Sequence, residues 1–302
     1  MMIGARLMGA LRLMRLANVI TAISDILAGI AIAGYFTIQE SYQIQPIVWL
    51  IIATAGLYGG GVVFNDVFDA ELDQTERPER PIPSGLISKA GATVWGTFLL
   101  LTGVFAAGRV HFESWTSVTA IIAVAIALAA LVYDKWAKHH AVLGPLNMGV
   151  CRGLNLLLGM SIVPPVLSQH WYLSIVPVVY IAAITMVSRG EVHGSERRTL
   201  YAAAALYTVV IASILTLAWV HDNVLYTLLF LLLLGVLIFP PLQKAIRNPI
   251  GPLIGKAVKA GVISLIVMNA AWAAAFGMPY FAIVILSLLP VSLLLAKLFA
   301  VT

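Results

Sequence analysis

The apolar positions of this chain gather into long runs separated by short polar stretches. A membrane-spanning helix needs about 20 mostly apolar residues, and runs of that kind cover approximately residues 16–37, 45–65, 90–108, 115–133, 143–167, 171–188, 200–220, 224–240, 254–276 and 279–299. The last two are separated only by Gly277-Met278-Pro279, so nine spans plus a re-entrant or interfacial piece also fit. The basic stretch from Met1 to Arg15 resembles the start of a secretion signal. No cleavage site follows it and further spans do, so Leu16–Phe36 reads as a first span. The expected fold is all-α: a polytopic transmembrane bundle of 9–10 spans, taken as a single domain over 1–302.

Composition agrees. Of the 302 residues 61% are hydrophobic and 10% charged, against roughly 25% charged in an ordinary soluble domain. Eighteen basic and 13 acidic side chains cannot solvate a surface of this size. This excludes a cytosolic globular enzyme, a nucleic-acid binder and a disordered chain, and makes the lipid bilayer the first partner. The net charge of +5 does not argue for nucleic acid, because the charges sit in short loops, where Lys and Arg report topology instead. Arg12 and Arg15 precede the first span. Arg77, Arg80 and Lys89 follow the second, Lys135 and Lys138 the fourth, Arg189, Arg197 and Arg198 the sixth, and Lys244 and Arg247 the eighth. The alternate loops hold one basic residue, Arg109. The excess predicts a cytoplasmic N-terminus in a multi-pass protein, read as one of a bacterial inner membrane. The lone Cys151 allows no internal disulfide.

Six of the 13 acidic residues fall between positions 66 and 79. Asn65, Asp69 and Asp73 are spaced i, i+4, i+8 and share one face of a helix. One amide and two carboxylates in a stack repel unless a cation sits against them. Mg²⁺ takes oxygen ligands and is commonly shared with substrate phosphates. The face also begins where an apolar span meets the interface, a place where ionisable groups are functional candidates. Taken alone, such a cluster is also consistent with a solvated acidic loop. The register weighs against that, as do the Gly59-Gly60-Gly61 run, read as a helix interruption, and the following Arg77-Pro78-Glu79-Arg80-Pro81-Ile82-Pro83-Ser84-Gly85.

Asn65-Asp66-Val67-Phe68-Asp69-Ala70-Glu71-Leu72-Asp73, with Glu76-Arg77 and Arg80-Pro81-Ile82-Pro83-Ser84-Gly85, closely resembles the first aspartate-rich motif of the UbiA superfamily of intramembrane prenyltransferases. Arg15-Leu16-Ala17-Asn18, with Asp25 to Gly29, is similar to the first helix of that family, and Tyr133, Lys135 and Lys138 to its Tyr–Lys loop. The resemblance runs from about residue 15 to 240. It implies helices around a central cavity open to lipid, and Mg²⁺-dependent transfer of a prenyl group from a polyprenyl diphosphate to a hydrophobic, often aromatic acceptor. Carried over, Asn65, Asp69 and Asp73 become metal ligands with Asp66 beside them. Arg77, Arg80, Lys135 and Lys138 become diphosphate contacts, Tyr133 lines the cavity, and Asn18 belongs to the substrate site.

The second acidic motif of the family, D-x-x-x-D, is altered. Here Ser188-Arg189-Gly190-Glu191-Val192-His193-Gly194-Ser195-Glu196 puts Glu191 on the first acid and Ser195 on the second. Glu191 is then the remaining metal ligand and Arg189 a substrate contact. His193 is either a co-ligand or a base toward the acceptor, or else a residue of a polar interfacial loop. The altered motif resembles that of a divergent, EboC-like branch. In the fifth span Arg152 and Asn155 lie i, i+3; Arg152 either touches a polar cavity or snorkels to the interface, and Asp25 is its candidate partner. Besides a prenyltransferase, two other functions fit these features. One is a transporter with a charged mouth, although its site would lie near the midplane. The other is a non-catalytic UbiA-like protein that binds or transports a prenylated or aromatic metabolite.

Overall fold

The computed structural model describes residues 2–38, 43–111, 117–191 and 194–299. Among them the regular elements are helices: α1 (Met2–Leu13), α2 (Leu16–Ile32), α3 (Tyr35–Ile38), α4 (Ile44–Phe68), α5 (Ala70–Glu76), α6 (Lys89–Gly108), α7 (Val118–Lys135), α8 (Leu143–Met160), α9 (Pro164–His170), α10 (Ile175–Ser188), α11 (Arg197–Val220), α12 (Val224–Arg247), α13 (Gly251–Ala275), α14 (Pro279–Leu286) and α15 (Leu288–Leu298). Short 3₁₀ turns follow α7 and α9.

Local signals place the boundaries. Ser88 Oγ accepts from Gly91 N at the start of α6, and Ser117 Oγ from Ala120 N at the start of α7, each satisfying an otherwise orphaned donor. Gly277, at φ 79°, and Pro279 separate α13 from α14. Between α1 and α2 the chain bends by 51° at Arg15, which holds a left-handed φ of 49°.

Eight helical segments among the described residues are long and apolar enough to cross a membrane, and the bent pair α1–α2 makes a ninth. Each of the ten expected segments is mainly helical over its described residues. Helix α8 falls outside this count because Asn147, Arg152 and Asn155 lower its hydropathy, and those residues are needed inside. Large apolar side chains such as Leu101, Ile121 and Leu225 stand more than 60% exposed on the outer faces, a surface that suits lipid and not water. The chain is an integral, multi-pass membrane protein. Helix α13 lies at the centre, with 72% of its apolar window buried against 28% for α7, α11 and α12.

Lipid gives helices little hydrophobic reason to associate, so close packing at small residues does much of the work. Helices α2 and α8 cross at Gly29 and Gly159, where a Cβ would lie 2.4 Å from Leu156 O and Ile26 O respectively. The Gly59-Gly60-Gly61 run does not interrupt a helix as its composition suggests; α4 continues through it to Phe68. A Cβ on Gly56 would meet Leu99 O at 2.6 Å, and one on Gly60 would press on Leu100. These glycines are spent on the approach of α6, while intrahelical hydrogen bonds keep α4 intact.

Gly159→Val should therefore force α2 and α8 apart and cost about 1–3 kcal/mol. Thermal unfolding in detergent would show a lowered midpoint, whereas Gly255→Ala, whose Cβ meets nothing within 4 Å inside α13, should not lower it and should raise it slightly.

Candidate active-site cavity

Helices α2, α4, α7, α8, α10 and α13 enclose a cavity of about 350 Å³. Leu57, Val62, Ile126, Ala130, Met148, Ile181, Ile184, Val262 and Leu265 give it apolar walls. Its polar residues gather in two places. Arg15, Asn18, Asn65, Tyr133 and Asp134 lie toward the helix ends that carry the acidic cluster, and Tyr58, Arg152 and Asn155 lie deeper.

The deep group is a connected network. Asp25 and Arg152 sit roughly 15 Å along α2 and α8, at 1.5 Å per residue, and are 1% and 6% exposed. Arg152 Nη1 donates to Asp25 Oδ2 at 2.6 Å and Nη2 to Thr21 Oγ1 at 2.6 Å. Asn155 Nδ2 donates to the same Asp25 oxygen, and Asn269 Nδ2 donates to Asp25 Oδ1 at 2.7 Å and Ser24 Oγ at 2.8 Å. Thr54 Oγ1 donates to Asn155 Oδ1, and the Arg152 guanidinium lies 5.1 Å from the Tyr58 ring centroid. Four helices, α2, α4, α8 and α13, are thus tied through one neutralised pair. Arg152 faces the cavity and does not snorkel.

At the other end α4 stops at Phe68, yet Asp69 N still bonds Asn65 O and Asp73 N bonds Asp69 O, so the i, i+4 register carries into α5. The side chains diverge to separate cations. Arg80 Nη1 bonds Asp73 Oδ2 at 2.7 Å and Asp66 Oδ1 at 3.4 Å. Arg15 Nη2 reaches Asp66 Oδ1 at 2.9 Å, and Lys138 Nζ reaches Asp69 Oδ1. Asn65 turns its Nδ2 to Asp134 Oδ1 at 3.0 Å.

The residues expected from the sequence divide accordingly. Asn18, Asn65, Tyr133, Arg152 and Asn155 line the cavity, and Asp66, Asp69, Asp73, Arg80 and Lys138 form the charged cluster at its end. Others do not join them. Lys135 is exposed and lies over the Trp136 ring at 4.6 Å, because it projects from the face of α7 opposite the cavity. Arg189 is exposed and donates to His140 O. Neither Arg77 nor Glu191 lines the cavity. Partial desolvation raises the Glu191 carboxyl above its ordinary range, and Arg77 opposes the rise. His193 lies outside the described residues. Sequence reasoning missed Asp134 and the role of Arg15. The signal for Asp134 was an acid next to Tyr133, ending an otherwise apolar span.

All the donors at this end are hard oxygens, the ligand type of Mg²⁺, and buried Asp134 Oδ2 has no hydrogen-bond partner among the described residues. No three His, Cys, Asp or Glu side chains among the described residues converge closely enough to hold a metal by themselves. A cation shared with a substrate diphosphate needs only one or two carboxylates, so the donor set fits that mode.

Fold and site together define a polytopic helical membrane protein with an apolar cavity opening on a cluster of opposed carboxylates and cations. The UbiA prenyltransferase family model matches residues 24–249, and the chain belongs to that family. It is 30% identical over 152 residues to the digeranylgeranylglyceryl phosphate synthase of Methanothrix thermoacetophila, covering 50% of this chain and 54% of that one. To the enzyme of the same name from Metallosphaera sedula it is 29% identical over 192 residues, covering 62% and 61%. The chain thus spans about half to three fifths of these relatives. A solved structure of digeranylgeranylglyceryl phosphate synthase shares the fold at a TM-score of 0.65 and 22% identity, over 90% of this chain and 98% of that one. A UbiA homolog from Archaeoglobus fulgidus bound to GPP and Mg²⁺ does so at 0.54 and 16%, over 85% and 99%.

The deep ion pair generates a prediction. Asp25→Asn alone or Arg152→Met alone should each destabilise the protein by about 3–5 kcal/mol, because one buried charge is left unpaired. The double variant should recover much of that loss in thermal unfolding.

Proposed function

We propose that this protein transfers a prenyl group from a polyprenyl diphosphate to a hydrophobic acceptor within the membrane, acting as one unit over 1–302. The observation that carries the reading is the placing of Asp66, Asp69, Asp73, Arg15, Arg80 and Lys138 at the end of an apolar cavity. The relatives named above support the substrate class. The excess of basic residues in alternate loops supports a cytoplasmic N-terminus, with the charged end on that side.

Breaking the allylic C–O bond leaves negative charge on the diphosphate and positive charge on the prenyl carbon. Arg15, Arg80 and Lys138 hold the diphosphate and stabilise the charge that grows on it, and the apolar walls keep water from the cation. Tyr58 and Tyr133 line the cavity and supply aromatic rings of the kind that stabilise positive charge. Asn65, Asp69 and Asp73 would hold Mg²⁺, which when bound supplies Lewis-acid stabilisation of the leaving group. Asp66, held by Arg15 and Arg80, keeps those two cations in place.

One observation favours a second reading, a non-catalytic protein that binds such a molecule: no described residue of 189–199 lines the cavity. A single assay separates the two. Purified protein is incubated with radiolabelled geranyl, farnesyl or geranylgeranyl diphosphate, Mg²⁺ and a lipid extract as acceptor source. The enzyme reading predicts diphosphate release that EDTA abolishes and that Asp69→Asn or Asp73→Asn lowers by about 10²–10³-fold. Donor binding without release from any donor would establish the second reading instead.

A further inference from the structure

The altered second motif leaves a gap that another helix is placed to fill. Ser195 occupies the second acid's position, and its hydroxyl turns to Glu196 O, while its amide bonds Pro249 O. Glu191 is exposed, with the charge of Arg77 acting on it. Neither lines the cavity. Asp134, on the last turn of α7, does line it and is 3% exposed.

Its two oxygens have different fates. Oδ1 accepts from Asn65 Nδ2 at 3.0 Å, whereas Oδ2 is buried with no hydrogen-bond partner among the described residues. A buried carboxylate oxygen left unmatched costs stability, and ionisable groups at membrane depth persist where they serve a site. The neighbouring cations are engaged elsewhere, Arg15 with Asp66 and Lys138 with Asp69. The bond from Asn65 also fixes that amide. With Nδ2 committed to Asp134, Asn65 Oδ1 is the atom left to ligate. Asn65 and Asp134, from different helices, thereby each keep one hard oxygen uncommitted on residues that line the same cavity, with Asp69 one turn from Asn65.

We infer that Asp134 is a direct ligand of the divalent cation at this site, contributing from α7 the carboxylate that the 189–199 segment no longer supplies. The inference rests on the prenyl-transfer reading for the presence of the cation. It adds α7 to the metal-bearing elements α4 and α5. It also assigns Asp134 a chemical role distinct from that of its neighbour Lys135, which faces away.

The test reads metal binding and not turnover. Mn²⁺ binding to the full chain in detergent, with inorganic pyrophosphate present, is followed by electron paramagnetic resonance. Asp134→Asn preserves the shape and the acceptor for Asn65; it should weaken Mn²⁺ binding at least about tenfold, while Glu191→Gln stays within about twofold of wild type. Equal Mn²⁺ affinity in Asp134→Asn and wild type would overturn the inference. So would a loss confined to Glu191→Gln. Should Asp134→Asn fail to fold, anomalous scattering from Mn²⁺ in crystals of the wild-type protein decides the matter: a peak in coordination contact with Asp134 supports the assignment, and a peak contacting only α4 and α5 refutes it. A wild type that binds Mn²⁺ through Asp134 but releases no diphosphate from any donor would sink the prenyl-transfer reading and leave this ligand standing.

Discussion

The structure depends on one constraint, the pairing of buried charges in a medium that offers no water. The Asp25–Arg152 pair, buried inside the helix bundle, is where this is met most fully. An isolated charge there would be costly, and the pair is tolerated because Thr21, Asn155 and Asn269 add hydrogen bonds to it. Because these partners come from three helices, and Thr54 of α4 joins through Asn155, the network fixes the register of α2, α4, α8 and α13. The glycines at the α2–α8 crossing make the approach short enough for those bonds to form. The cavity therefore has a rigid polar floor beneath apolar walls.

The same logic gives the other end its chemistry. Carboxylates from α4 and α5 are each matched by a cation from a different part of the chain: Arg15 from the α1–α2 bend, Arg80 from the segment after α5, and Lys138 from the turn after α7. The left-handed conformation of Arg15 is the local strain associated with aiming that guanidinium at Asp66. Under the proposed function a diphosphate would meet cations already gathered here, and its prenyl chain would meet the apolar walls.

Much of this was legible in the residues. The apolar run at 90–108 became α6, Lys89–Gly108, and the run at 45–65 became α4, Ile44–Phe68. The spacing of Asn65, Asp69 and Asp73 survived into the structure because backbone bonds bridge the α4–α5 junction. What escaped was decided by contacts between distant segments. The Gly59-Gly60-Gly61 run carries no local sign that a neighbouring helix will press on it. Lys135 and Lys138 look alike in the sequence, but their three-residue offset sends one over Trp136 and the other to Asp69. Asp134 is unremarkable until α7 packs beside Asn65.

The central claim is that diphosphate is held at this charged cluster with its prenyl chain in the cavity. A structure of the protein with a non-hydrolysable geranylgeranyl diphosphate analogue tests it most directly. The account predicts the diphosphate among Asp69, Asp73, Arg80 and Lys138, with the chain running past Tyr58 toward Arg152. Diphosphate bound instead at Lys244 and Arg247, or a cavity left empty with the analogue on the lipid-facing surface, would contradict it.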